Sequence, residues 1–165
     1  MENILVSACL LGVSCRYDGA SVPCEEVIKL KDEYNLIPVC AEIMGGLPTP
    51  RVPAEIIGDK VINRDGIDVT ENYVRGAENV LHLAKLFGAK VAILKERSPS
   101  CGYGRIYDGT FTGALADGSG VTASLLSENG IEIVGESRIS LLSLKRKQTK
   151  KLSGCCLYAD DRKLH

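Results

Sequence analysis

The chain has no tryptophan, and only two phenylalanines and six tyrosines in 165 residues. So thin an aromatic stock argues against a stacking platform for single-stranded bases. Charge of one sign is lacking too: 20 lysines and arginines stand against 21 aspartates and glutamates, a net of −1. No global field therefore draws the protein to nucleic acid or acidic lipid. There is no apolar stretch of the ~20 residues that a spanning helix needs, so no membrane span is expected. Val6-Ser7-Ala8-Cys9 does place small residues before a cysteine. A secretory signal, however, wants a positive start and an apolar run of about 7–15 residues, and here Glu2 is acidic and the run is only Ile4-Leu5-Val6. The expectation is a cytoplasmic protein. Histidine is scarce, with His82 inside a helical pattern and His165 last. No Cys-x-x-Cys pair occurs, which removes the knuckles of an ordinary structural zinc site.

Cysteine, by contrast, is plentiful. There are seven, an odd number that cannot be fully paired within the chain. In a reducing compartment, clustered cysteines are more often metal ligands or catalysts than disulfides. A hydrophobic fraction of 45% with 25% charged residues suits a globular protein with a real core, and the length suits one domain.

Apolar runs at 4–9, 36–40, 90–95 and 131–134 read as buried strands. Between them lie helical patterns at 22–34, with Pro23 near its start, at 70–87 and at 121–128. The clearest is 70–87, with Val74, Ala77, Val80, Leu81, Ala84 and Leu86 near helical spacing and Gly88 as its stop. Strands alternating with helices predict an α/β fold, a mainly parallel sheet with helices on its faces. Residues 55–62 break the pattern and read as a β-hairpin around Gly58-Asp59, inserted beside the sheet either as a flap over a site or as a surface excursion. Residues 1–137 are read as the α/β domain and 138–165 as a basic tail without a defined pattern. That tail carries Lys145, Arg146, Lys147, Lys150 and Lys151, then Cys155-Cys156.

The positions of the cysteines matter more than their number. Cys9 and Cys40 end predicted strands and Cys101 lies just beyond the third. In a parallel sheet these ends share one edge, where ligands bind, so the three thiols are expected to converge. Each sits among Gly, Pro and charged residues, the composition of functional loops. Gly102 and Gly104 are expected to let backbone amides approach an anionic group there. Cys15 and Cys24 read as ordinary packing, with a fourth thiol near the site as the alternative for Cys15 that its loop position does not settle. Arg16, Arg51 and Arg97 stand near the thiols and read as structural more readily than as substrate contacts. The Gly-rich loop at 112–120 precedes a helix whose amino end is a weak anion-site candidate. Three thiolates on a four-iron cluster would leave one iron open as a Lewis acid, but spacing alone does not select that cofactor.

Four motifs in order do select it. Val6-Ser7-Ala8-Cys9-Leu10-Leu11-Gly12, Arg16-Tyr17-Asp18-Gly19, Pro38-Val39-Cys40-Ala41-Glu42 with Gly46-Leu47-Pro48-Thr49-Pro50-Arg51, and Lys95-Glu96-Arg97-Ser98-Pro99-Ser100-Cys101-Gly102 closely resemble the thiouracil desulfurase family, over about residues 2–135. The resemblance implies a single Rossmann-like, three-layer domain with a [4Fe-4S] cluster bound by three cysteines only, here Cys9, Cys40 and Cys101. It implies removal of sulfur from thiolated pyrimidines without net redox change: the sulfur is bound at the open iron, water attacks the carbon, and hydrosulfide leaves. Proton transfer falls by motif to Glu42 and Ser98. Ala41 departs from the proline often found after the second cysteine. The substrate is expected to be a free thiolated nucleobase; thiouridine in tRNA is the alternative that the basic run keeps open. Rival readings are a cluster-bearing sensor or binding domain without turnover, and a metal-free thiol enzyme using Cys101.

Overall fold

The computed structural model describes residues 1–142. The basic run at 145–151 and Cys155-Cys156 lie outside the described residues.

Four strands make the central sheet: β1 (Glu2–Ser7), β2 (Tyr34–Val39), β5 (Val91–Leu94) and β8 (Glu132–Gly135), in the order β2-β1-β5-β8 and parallel throughout. The period-two alternation of a pleated strand divides the core. Ile4 and Val6 of β1 share one face with Val91 and Ile93 of β5, while Leu5 shares the other with Ala92 and Leu94. Val27 of helix α1 (Glu25–Lys29) covers the first face. Val80 and Ala84 of α3 (Thr70–Leu86), with Ala123 and Leu126 of α4 (Val121–Glu128), cover the second. The result is the three-layer α/β arrangement expected of a Rossmann-like domain. Chain order reverses between β1 and β5, a topological switch point whose carboxyl ends open a crevice.

The inserted hairpin is present as β3 (Ala54–Ile57) paired antiparallel with β4 (Lys60–Asn63). A second small hairpin, β6 (Arg105–Tyr107) with β7 (Leu115–Asp117), replaces the loop expected at 112–120.

Three other expectations need correcting. The helix expected at 22–34 is only α1 followed by a 3-10 turn, Leu30–Asp32, because Tyr34 already pairs with Glu2 as the first rung of β2. The apolar stripe of α3 is rotated: Tyr73, Ala77, Val80 and Ala84 are buried, whereas Val74 and Leu86 are exposed. The core also continues past Ser137, since Ile139 and Leu142 pack with Ile4, Val6 and Leu10. Among the described residues no helix is long and apolar enough to cross a membrane.

Candidate active site

Every thiol singled out in the sequence lies at the carboxyl edge of the sheet. Cys9 is buried in a 3-10 turn, Ala8–Leu11, directly after β1. Gly12, at φ 93°, reverses the chain there, and the amides of Gly12 and Val22 both donate to the Cys9 carbonyl. Cys40 follows β2 and stands at the start of the one-turn helix α2 (Ala41–Met44). The loop composition around Cys40 gives way here to a turn of helix. It forms because Met44 N–H and Gly45 N–H donate back to the Cys40 and Ala41 carbonyls.

Cys101 sits in the loop after β5, in a turn clamped from two sides. Ser98 Oγ accepts from the amides of Ser100 and Cys101, both at 3.1 Å. The amides of Gly120, Val121 and Thr122, at the start of α4, donate to the carbonyls of Gly102, Pro99 and Ser100. A Cβ at Gly120 would meet the Ser100 carbonyl at 2.4 Å, so only glycine permits this approach. The amino end of α4 is thereby spent on the Cys101 turn and offers no anion site. Gly102 and Gly104 likewise donate within the protein, to the Ser98 carbonyl and to Ser119 Oγ. They do not turn amides toward the thiols as expected.

Cys9, Cys40 and Cys101 line one cavity of about 580 Å³, together with Cys15, Glu42 and Ser98. Cys15 is only 2% exposed; the Cys40 thiol donates to its carbonyl oxygen at 3.9 Å, and the Cys15 and Cys9 thiols influence one another. The bond from Cys15 holds the Cys9 thiol below its ordinary value against burial, with Lys95 assisting. Donating to Cys15, and then burial, pushes the Cys40 thiol up. Burial pushes Cys101 up to about 12, the Glu42 charge adding to it. All four cysteines line the same cavity. The clue to Cys15 was its spacing: six residues from Cys9, across a glycine reversal.

Glu42 lies on α2, facing the cavity, and pairs through Oε2 with Arg51 Nε at 2.6 Å. Beside it is Tyr73 of α3, whose phenol is pushed up by burial and by the Glu42 charge. Tyr73 was missed because an aromatic on a helical stripe reads as core; its polar end gives the helix a second use. The hairpin supplies Pro53, Ala54 and Glu55 to the cavity wall. Glu55 Oε2 accepts from the amides of Gly109 and Phe111, which ties the two hairpins into one wall. Lys95 pairs with Glu136 across β5 and β8. Arg16 pairs with Asp18 at 3.4 Å, Arg97 lines the cavity, and Arg51 is spent on the protein itself.

The arrangement suits an iron–sulfur cluster. Thiolates are the soft donors such clusters take. Among the described residues no three His, Cys, Asp or Glu side chains close on a single ion. Cluster ligands need not do so, because each binds a different iron.

Comparison with known proteins agrees with this geometry. The family model of 2-thiouracil desulfurase matches residues 4–138. The protein YbbK of Bacillus subtilis (strain 168) is 46% identical over 147 residues, covering 83% of this chain and 97% of that protein. A solved structure of the [4Fe-4S]-dependent thiouracil desulfidase TudS superposes with a TM-score of 0.84 at 45% identity, covering 90% of this chain and 99% of the other. With the motif thiols gathered on one cavity and more than half its length matched, the chain belongs to the 2-thiouracil desulfurase family.

Proposed function

We propose that this protein removes the sulfur of a small thiolated pyrimidine such as thiouracil in a reducing cytoplasm, releasing hydrosulfide. In this reading Cys9, Cys40 and Cys101 alone hold a [4Fe-4S] cluster. The observation that carries it is the meeting of those three thiols with Glu42 and Ser98 on one cavity. Its support from relatives is the [4Fe-4S]-dependent thiouracil desulfidase at 45% identity. When bound, a cluster with three protein ligands supplies an iron free to act as a Lewis acid toward a thiocarbonyl sulfur.

The chain's own residues handle protons and water. Glu42 accepts a proton at its carboxylate from the water that attacks the thiocarbonyl carbon, and returns it as the sulfur leaves. Ser98 Oγ already accepts two backbone amides, so what it offers the substrate is its O–H, as a donor. Tyr73 and the wall formed by the two hairpins exclude bulk water from that exchange. A free base is favoured over thiouridine in tRNA because the net charge of −1 provides no general attraction for a polyanion.

The test is anaerobic reconstitution with iron and sulfide, followed by thiouracil. A brown protein with about four irons per chain that releases uracil and hydrosulfide in equal amounts is the expected result. A full cluster with no turnover of any thiolated base would overturn the reaction and leave the cofactor standing.

A further inference from the structure

Arg51 is 6% exposed at its side chain, and every nitrogen of its guanidinium is spent on the protein. Nε donates to Glu42 Oε2 at 2.6 Å. Nη1 donates to the Pro48 carbonyl at 3.2 Å and to Thr49 Oγ1 at 3.1 Å. Nη2 donates to the Cys15 carbonyl at 2.9 Å. The Arg51 amide donates to the Tyr17 carbonyl at 2.8 Å. One residue thus joins the loop that follows Cys9, the one-turn helix that follows Cys40, and its own loop at 48–51. The flat, forked geometry of a guanidinium allows this, and no lysine could reproduce it.

The pairing with Glu42 is single-point. The guanidinium does not chelate the carboxylate; it holds one oxygen and spends its other nitrogens elsewhere. A carboxylate held through one oxygen is fixed in direction, while the guanidinium leaves its other oxygen unengaged. Its carrier is a helix of four residues, too short to be rigid alone.

We infer that Arg51 is a positioning residue for the desulfuration: it aims the Glu42 carboxylate into the cavity and registers it against the Cys9–Cys15 loop. In this role it acts through Glu42 and takes no part in the bond changes. This inference rests on the reading that Glu42 carries the proton.

The test is a double-mutant cycle on anaerobically reconstituted protein. Arg51→Met is expected to lower kcat about 100-fold, the scale of an ångström's misplacement of a reacting group. KM for thiouracil stays within about twofold, since uniform binding is untouched. Iron content and the visible spectrum of the cluster are expected to match those of the parent. Glu42→Gln combined with Arg51→Met should be no slower than Glu42→Gln alone, because a residue acting through another adds nothing once that other is gone. Multiplying losses in the double variant, or loss of activity in step with loss of iron, would assign Arg51 to general structure instead. Should Arg51→Met fail to fold, Arg51→Lys carries the same cycle; full activity in Arg51→Lys would also overturn the inference. Failure of the parent enzyme to act on any thiolated base, with its cluster intact, would reject the underlying reading and this inference with it.

Discussion

The proposed roles divide the site's residues into cluster holders and proton carriers, and substitution separates them. Serine at Cys9, Cys40 or Cys101 is expected to abolish iron retention, measured as iron per chain after anaerobic desalting, whereas Cys15→Ser keeps it. Glu42→Gln is expected to keep its iron and lose about 10²–10⁴-fold in turnover, the usual contribution of a positioned acid–base group. A sensor without turnover would be indifferent to that change. Protonation matters at loading. With Cys101 pushed up to about 12 by burial, and Cys40 raised by its bond to Cys15 and then by burial, these two metal-free thiols are protonated at neutral pH. Ligand thiols must lose those protons to bind iron. Cluster incorporation is therefore expected to rise from about pH 6 to pH 8 and to release protons, readable by stopped-flow with an indicator dye. The same shift has the opposite sign for the metal-free fold: its contribution is full below the ordinary thiol value of 9.0 and is lost as pH rises toward 12. At this scale the meeting of Cys9, Cys40 and Cys101 on one cavity was legible because strand ends announce themselves. Tyr73 beside Glu42 and the bond from Arg51 to the Cys15 carbonyl were not, since each depends on a partner far along the chain.

Elements are placed by close approaches that no apolar pattern reveals. Helix α2 lies against α3 through two glycines: a Cβ at Gly76 would stand 1.9 Å from the Ala41 carbonyl, and one at Gly45 the same distance from the Asn72 carbonyl. Asn72 Nδ2 and Arg75 also donate to the Gly45 carbonyl. Gly76→Ala is a helix-favouring exchange that would be harmless on an exposed face. Here it is expected to destabilise by about 1–3 kcal/mol, the range of an overpacked core, seen as a lowered Tm of the metal-free protein. Turnover is expected to fall as well, since α2 carries Glu42. The long helix α3, the four sheet strands and the β3–β4 hairpin were readable because their apolar residues repeat with a clear period or flank a Gly-Asp turn. The β6–β7 hairpin was not, because three-residue strands set among Gly, Asp, Ser and Thr carry no period. Helix α2 was hidden by the Gly and Pro that follow it. Helix α1 was overextended because an apolar–charged alternation at 27–34 fits a helix until β2 claims Tyr34 for the sheet.

The whole molecule is nearly neutral, and this bears on its substrate. Turnover of free thiouracil is expected to change little between about 50 and 200 mM salt, whereas any reaction with tRNA would weaken steeply over that range through counterion release. Parallel rate measurements on the two substrates check this. The order β2-β1-β5-β8 has a further consequence for the life of the protein in the cell. With the ligands proposed above drawn from successive β-α units, a chain emerging from the ribosome would have no complete cradle for the cluster until the segment holding Cys101 is out and α4 has locked its turn. Assembly of the cluster in its full ligand set would then be deferred until translation is almost complete.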